Sequence, residues 1–445
     1  MRIVAMTFLL VGLCLCTEPQ PPGIVGTVGL DFLNRIKDIY FSNIVRELNN
    51  MKIDEVNDRH YKLWNIDMTF YIPLPEDLIL SIDAQNDGLR VQVRNMLITG
   101  KLNWKVKLGK LIKIRGHADI KGVCDEISIV LGFTTQERDG YLIPAVFTKS
   151  VDVSLDKHKW HATTGNNVIQ KVGNTIIKAL RGPILKKVKQ NCIIDSLNKD
   201  MPRIMNEEIR KSFEIEAPLT PWLNMNFALV SPIKASANSL ILPINGTIYL
   251  PGSHLNFTHK PSEIMLNQKA SESDVSLAVG DYVFSTFADS LNQFEFEYNI
   301  AADGYDIQIA IPGNSSSFSI VNTEKGLHVV AKGNCTVIQT GTSFDVDISG
   351  DLSFNFTNGD GDNMLYFNPI VDKNSLNIST SNVFLVREKL GLGMLSPLFG
   401  PIIGFFAKRL EFKSIPVKKI PNFPLVLNYS STEFTPNYMA VRLDV

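Results

Sequence analysis

Catalytic and metal-binding patterns are missing from this chain. Its seven histidines, His60, His117, His158, His161, His254, His259 and His328, are scattered, and none falls in a His-Glu-x-x-His or similar ligand spacing. No Gly-x-Ser-x-Gly elbow offers a hydrolase nucleophile. Gly391-Leu-Gly393 is not followed by the rest of a dinucleotide loop. Asn358-Gly-Asp-Gly-Asp362 lacks the glycine and terminal-glutamate spacing of a calcium loop, and an Asn-Gly hairpin turn explains it better. The reading is a non-enzyme with no metal and no cofactor. Cysteine is sparse too: five in 445 residues are too few for a disulfide scaffold and too scattered for a zinc cluster. Charge of one sign is lacking, since 44 basic against 45 acidic residues leave −1, which speaks against a nucleic-acid binder. With 44% hydrophobic residues, disorder and low-complexity fibre are excluded.

Two uncharged apolar runs are present. Arg2 followed by Ile3 to Leu13, then Cys14, Leu15 and Cys16, has the three-part pattern of a secretory signal, residues 1–16, cut near Cys16/Thr17. Leu390 to Ala407 reaches membrane-span length, but Pro397 and Pro401 interrupt it, so it reads as a buried helical segment. Export agrees with seven Asn-x-Ser/Thr sequons, at Asn245, Asn256, Asn314, Asn334, Asn355, Asn377 and Asn428. All lie beyond residue 240. The expected location is extracellular and the expected product a glycoprotein.

The mature chain divides near Pro218–Pro221. Residues 17–220 carry +4 and residues 221–445 carry −6, an asymmetry that marks two domains with different roles. Each half shows the same order of elements. An amphipathic helix from about Thr27 to Asn50 carries Leu33, Ile36, Tyr40, Ile44 and Leu48 on one stripe. Strands follow over about 62–155, then a helical region over about 166–213. In the second half, strands near 226–250 precede a helix near 274–293. Strands then run over about 294–381, a helical region over about 384–412, and a last strand pair closes the chain. The class is α+β, a pseudo-repeat of helix, sheet and helix. The strands are long. From Phe344 to Phe356 apolar and polar residues alternate, broken only at Gly350, so one face is buried and one is wet. Such strands suit a highly twisted antiparallel sheet wrapped around a helix.

Residues 101–115, KLNWKVKLGKLIKIR, form a hairpin turning near Gly109. Its wet face holds Lys101, Lys105, Lys107, Lys110, Lys113 and Arg115. No acid occurs between Arg90 and Asp119. Lysine on a strand blunts an edge against pairing, but six like charges exceed that need and point to an anion-binding tip. A second basic cluster, Lys178, Arg181, Lys186, Lys187 and Lys189, lies on the long helix and suits a solvent face. Tyr40 and Trp64 are candidates for a ligand cavity, with ordinary core the simpler reading. Cys124 shares the parity of Ile112, Ile114, Ala118 and Ile120. Cys192 follows Leu185 and Val188 on the inner helix stripe. A Cys124–Cys192 disulfide is coherent and would close a loop worth about 3–5 kcal/mol; the alternative is two buried thiols. Cys335 sits inside the Asn334 sequon and is left unpaired.

The stretch ITGKLNWKVKLGKLIKIRG (98–116) resembles the basic hairpin of the bactericidal/permeability-increasing protein, lipopolysaccharide-binding protein and lipid-transfer-protein family. PGIVG from Pro22 and GLDFL from Gly29 look like the start of its mature chain, and ALRGPIL from Ala179 with Cys192 looks like its long helix. SLAVGDYVFST from Ser276 resembles the opening helix of its second domain. IPVKKIP from Ile415 and FTPNYMAV from Phe434 resemble its closing strands. The resemblance covers essentially the whole mature chain. It implies an elongated molecule of two domains, 17–220 and 221–445, with a shared central sheet and an apolar phospholipid pocket in each. It also implies the strand–helix disulfide, for which Cys192 matches the helix partner. The family's strand cysteine would fall nearer Ala145–Thr148, where this chain has none, and Cys124 lies on the neighbouring strand.

The function expected is therefore a secreted lipid-binding protein in innate immunity. Acyl chains are held in apolar pockets lined by Leu33, Ile36, Tyr40, Ile44, Ile184 and Val188. The hairpin meets anionic headgroups of lipopolysaccharide type. Bound phospholipid is expected; the partners are phospholipid, anionic glycolipid and a membrane or lipoprotein surface, with no nucleic acid. The alternative is an extracellular lipid carrier without an antibacterial role. A lipid hydrolase is disfavoured by the missing nucleophile motif.

Overall fold

The structure is a computed structural model. It describes residues 21–49, 55–57, 61–108, 112–155, 159–163, 188–252, 259–264, 274–302, 305–313, 317–339, 341–358, 365–372, 375, 377–380 and 428–444. The expected signal (1–16), the Leu390–Ala407 run and the helical region near 384–412 fall outside these residues, as do Lys178, Arg181, Lys186 and Lys187.

Chain order begins with β1 (Ile24–Gly29) and α1 (Leu30–Asn49). A first antiparallel sheet follows. Its main path is β2 (Val56–Asn57), β3 (Tyr61–Tyr71), β5 (Gly88–Leu108), β6 (Ile112–Arg138) and β7 (Tyr141–Ser154). Off this path, β4 (Leu78–Asp83) pairs with β5, and β8 (His161–Thr163) pairs with β6. A helical stretch with wide turns, Val188–Ile194 and Ser196–Asp200, leads into α2 (Met201–Ser212). The segment where the charge balance changes is a hairpin of β9 (Glu216–Thr220) and β10 (Leu223–Asn226). Then come β11 (Lys234–Ala235), β12 (Ser239–Ile244), β13 (Ile248–Tyr249), β14 (Val275–Gly280) and α3 (Asp281–Leu291).

The second large sheet repeats the first. Its main path is β15 (Phe296–Ala302), β16 (Tyr305–Ile311), β18 (Gly326–Val337), β19 (Thr342–Asn358) and β20 (Leu365–Val371). Again the third strand of the path carries an extra partner, β17 (Phe318–Thr323), and the fourth another, β21 (Asn377–Ser379). The β5–β6 hairpin of one sheet thus corresponds to the β18–β19 hairpin of the other. The alternation holds over Phe344–Ile348: Phe344, Val346 and Ile348 are buried, while Asp345 and Asp347 are exposed; the side chains of 354–356 lie outside the described residues.

A six-stranded sheet joins the halves in the order β11-β12-β1-β14-β23-β22, closed by β22 (Asn428–Phe434) and β23 (Tyr438–Asp444). Here the sequence reading needs correction. The first helix begins at Leu30 and not near Thr27, and α3 begins at Asp281 and not near 274. The β-branched Ile24-Val25-x-Thr27-Val28 and the alternating Val275-Ser-Leu-Ala-Val279 are strands, and they pair with each other antiparallel. Buried Thr27 and Ser276 join hydroxyl to hydroxyl at 2.5 Å in this pairing.

Each large sheet buries its inner face against helices. In the first, Leu63, Ile98, Leu102, Trp104 and Cys124 pack with Phe41 and Val45 of α1 and with Ile193, Leu197, Met201 and Met205 of the second helical stretch. In the second, Val283, Phe287 and Leu291 of α3 pack against Ile309, Cys335, Phe344 and Val346. This is the α+β arrangement of twisted antiparallel sheets on helices, with a central sheet drawn from both halves.

One device recurs at the sheet edges. Asn49, the last residue of α1, accepts from the Phe70 N–H at 2.6 Å and donates to the Phe70 carbonyl at 3.0 Å. Asn206 of α2 treats Val146 of β7 alike, at 2.7 and 2.9 Å. Asn292, capping α3, holds Phe318 of β17 at 2.6 and 3.2 Å. A carboxamide presents one acceptor and one donor side by side, so it stands in for a missing neighbouring strand.

Candidate functional site

The hairpin β5–β6 is continuous in register from Met96↔Cys124 to Leu108↔Ile112, and its tip at 109–111, with Lys110, lies outside the described residues. It extends past β3, whose last pair is Tyr61↔Val106. Its inner face is closed by Trp104 lying over Gly116. A Cβ on Gly116 would sit 3.0 Å from the indole, and the indole N–H donates to the His117 carbonyl at 3.2 Å. Trp160 covers Gly122 in the same way. Apolar filling of one face forces the intervening residues onto the other.

On that wet face the register stacks charge. Lys107 is in register with Lys113, whose side chain lies outside the described residues. In the next row Lys62, Lys105 and Arg115 are cross-strand neighbours on β3, β5 and β6. Lys107 and Arg115 are exposed and Lys105 is half-buried. Lys62 meets Glu55 at 2.6 Å. Further from the tip, Trp64, Asn103 and His117 form a third row, with His117 Nδ1 2.8 Å from Asn103 Oδ1. A fourth row sets Lys101 between Asp67 and Asp119.

The corresponding hairpin in the second sheet is arranged differently. Its wet-face pairs set each aspartate opposite a cation or a hydrogen-bond donor: Lys332 with Asp347, His328 with Asp351, and Asn334 with Asp345. His328 Nδ1 lies 2.7 Å from Asp351 Oδ1. Like charges directly opposite each other destabilise a strand pair, and opposite charges stabilise it. In the second hairpin none of these pairs sets like charges opposite each other, whereas in the first Lys62, Lys105 and Arg115 are direct neighbours.

The pocket candidates are distributed unevenly. Leu33 packs with Leu229, Ile233 and Leu240 at the central sheet, away from the inner face of the first sheet. Ile36 and Tyr40 are half-buried. Ile184, and the side chains of Ile44, Leu48 and Val188, lie outside the described residues. The α1 side chains that do meet the inner face are Phe41 and Val45, spaced i and i+4 and passed over in the sequence reading. Trp64 is turned to the wet face. Lys189 of the second basic cluster donates to the Val153 carbonyl, so it is part of the helix–sheet contact.

Cys124 is a correction. Its thiol is free and buried, within reach of the Ser154 carbonyl at 3.4 Å and the Glu126 carbonyl at 3.6 Å, so the bond to Cys192 is not made in this structure. The side chain of Cys192 lies outside the described residues. Burial pushes the Cys124 thiol up to about 12 and Cys335, also free and buried, up to about 11. Both remain thiols at neutral pH, and the thiolate is the reactive form. Iodoacetamide at pH 8 is expected to leave both unlabelled in the folded protein and to label them in denaturant, as counted by intact mass; rapid native labelling of Cys124 would contradict the burial.

Among the sequons, Asn377 is exposed, while Asn334 and Asn245 are half-buried. Asn245 Oδ1 accepts from the Thr247 N–H at 3.0 Å. Asn256 and Asn314, and the side chains of Asn355 and Asn428, lie outside the described residues. At the far end of β6 from the hairpin, a cleft of about 580 Å³ is lined by Arg138, Tyr141, Lys211, Phe213 and Glu216. Tyr141 donates to Glu216 there at 3.1 Å. Among the described residues, no group of three or more His, Cys, Asp or Glu side chains converges as a metal site, and no helix is long and apolar enough to cross a membrane.

No family model matches the chain, and no curated protein matches it in sequence. Solved structures do match. The chain is similar to a lipopolysaccharide binding protein at 13% identity, over 95% of this chain and 99% of that one, with a TM-score of 0.49. It is similar to P47 of Clostridium botulinum E1 at 12% identity, over 96% and 99%, with a TM-score of 0.34. Takeout 1 of Epiphyas postvittana matches 41% of this chain and 90% of its own, at 12% identity and a TM-score of 0.29.

Proposed function

We propose that this chain is a secreted lipid-binding protein. It holds acyl chains against the apolar inner faces of its two large sheets and meets anionic headgroups with the β5–β6 hairpin. One observation carries the reading: Lys62, Lys105 and Arg115 stand in register with Lys107–Lys113 above them, while the wet-face pairs of the matching hairpin, Lys332–Asp347, His328–Asp351 and Asn334–Asp345, set no like charges opposite each other. A repulsive array that its own counterpart avoids is accounted for by an anion supplied from outside. Acyl burial adds about 0.8 kcal/mol per CH₂, and each lysine near an anionic surface about 1 kcal/mol. The division into lipid-binding domains 17–220 and 221–445, the glycans, and a role in innate defence through the phosphates of lipopolysaccharide belong to this proposal.

The test is a salt titration of binding to vesicles containing phosphatidylglycerol, beside mass spectrometry of lipids extracted from the purified protein. Binding is expected to weaken steeply between about 0.05 and 0.3 M salt, because exposed charges are screened over roughly 8–10 Å. Co-purified phospholipid is expected as well. Lipid retention with no salt dependence and no preference for anionic vesicles would favour the carrier reading, in which the hairpin has no recognition role.

A further inference from the structure

Two strands of the second half are fastened to α3 by side chains. Thr286 Oγ1 accepts from the Ile248 N–H at 3.1 Å, and Ser290 Oγ lies 3.1 Å from the Ile248 carbonyl, so β13 is held at its first residue. β17 is held at both ends. Asn292 takes Phe318 at one end; at the other, Asp281 Oδ1 accepts from the Asn322 N–H and from Asn322 Nδ2, both at 2.8 Å. Between these ends Phe318 and Ile320 pack with Val283 and Phe287, so the fastening walls the second apolar core. Of the side chains making these bonds, Asp281 alone is titratable.

One atom is left over. Asn322 is buried, and its Oδ1 has no hydrogen-bond partner among the described residues. An unpaired buried acceptor is costly. A carboxylate cannot relieve it, because a carboxylate only accepts. A carboxylic acid can, because its second oxygen carries a proton. Acid and carboxamide then match through two reciprocal bonds, Asn322 Nδ2–H to Asp281 Oδ1 and Asp281 Oδ2–H to Asn322 Oδ1. The two Asn322 donors and the first turn of α3 favour the carboxylate, yet burial prevails and holds Asp281 above the usual carboxylate range.

The surroundings of Asp281 are poor in charge. β17 and β14 bring no titratable side chain to it. β13 brings Tyr249, which faces Glu216. On α3 the Tyr282 hydroxyl meets Thr247 at 2.8 Å, and Asp289, two turns on, faces His259 at 3.6 Å. Tyr438 of β23 is in register with Gly280, and the Asn437 carbonyl accepts the Asp281 N–H at 3.3 Å. Glu324 and Lys325 are exposed in the turn after β17. The Asp281 shift comes from burial and Asn322 and from none of these groups.

We propose that Asp281 and Asn322 form a proton-operated latch: a proton on Asp281, donated to Asn322 Oδ1, fixes β17 on α3, and its loss to water loosens that strand. The folded protein holds this proton more tightly than the unfolded chain does, so the latch is firmest in acid and loosens as pH rises through the folded pKa. It governs how firmly the second apolar core is walled, whatever that core holds, and it is independent of the hairpin reading.

The experiment is hydrogen–deuterium exchange on the full chain at about pH 4.5 and 7.5, read residue by residue and corrected for the intrinsic rate. The Asn322 amide reports the latch. The Phe318 amide, held by the untitratable Asn292, is the internal control. In wild type, protection at Asn322 is expected to be about tenfold greater in acid, with Phe318 level. Asp281→Asn offers a permanent donor and acceptor, and is expected to hold Asn322 at the acid level at both pH values. In Asn322→Ala the backbone N–H still meets Asp281 but no acceptor awaits the proton, so the sign should reverse, because a carboxylate accepts better than an acid. Wild-type protection at Asn322 that is level or falls in acid overturns the latch, as does the wild-type pH dependence surviving in Asp281→Asn. The two wild-type amides decide the matter even if a variant does not fold.

Discussion

Reversing two charges on the hairpin, Lys105→Glu with Lys107→Glu, is expected to strengthen the fold and abolish most binding to anionic vesicles. Lys105 stands between Lys62 and Arg115, and Lys107 stands opposite Lys113. Each reversal turns repulsive cross-strand neighbours into attractive ones, at about 0.2–1 kcal/mol per pair. The melting temperature should rise by a few degrees, on the order of a 1 kcal/mol gain. Vesicle binding loses two attractions of about 1 kcal/mol and gains repulsion, a deficit of roughly 2–4 kcal/mol, or 30- to 1,000-fold at low salt. The opposed signs are the point of the measurement. A purely structural hairpin would show one change without the other, and a melting temperature that falls while vesicle binding persists would remove the functional reading.

The largest loss of stability is expected at Asn292. The residue is buried, and its amide satisfies both backbone groups of Phe318 on the edge of β17. In Asn292→Ala those groups have no partner and no ready access to water, which costs about 1–3 kcal/mol for each group. A total near 3 kcal/mol should appear as a lower denaturant midpoint. Asn292→Asp keeps the acceptor for the Phe318 N–H but sets a buried carboxylate against the Phe318 carbonyl. Burial raises the folded-state pKa of that new acid above its unfolded value. The folded protein then binds the proton more tightly, so the defect is largest at neutral pH and shrinks as pH falls through the folded pKa towards the unfolded one. If Asn292→Asp is equally unstable at pH 7 and pH 4.5, the clamp is not the source of the stability.

What could be read from the sequence was whatever repeats with a fixed period. Alternation over Phe344–Phe356 and over the 101–115 hairpin gave long strands, and the order of helix and sheet gave the pseudo-repeat. The same reasoning failed at β1 and β14. Short strands flowing into helices through Gly29 and Gly280 carry too few residues to show a period of two before the helical stripe begins. It failed again at the bulges. Asn65 and Asn95, both at φ +52°, shift parity in mid-strand, so the outward turn of Trp64 is invisible without coordinates. The cations of the hairpin were legible; their standing in rows with Lys62 was not, because Lys62 lies about forty residues away and register is a tertiary property. The three asparagine clamps had no signature at all, since each is one residue meeting one backbone position.

The pairing of β1 with β12 and β14 sets a timetable for synthesis. β1 finds its partners only when β12 and β14 follow, with Ile24 opposite both Ile244 and Val279. At roughly 5–20 residues per second, a wait of about 220 residues lasts on the order of 10–40 s, during which an apolar strand has two unfilled edges. The first sheet can close from its own residues in that interval, but the central one cannot. A chain stopped after the first half would therefore release a completed sheet bearing an orphan strand, a substrate for chaperones and for association with other nascent chains.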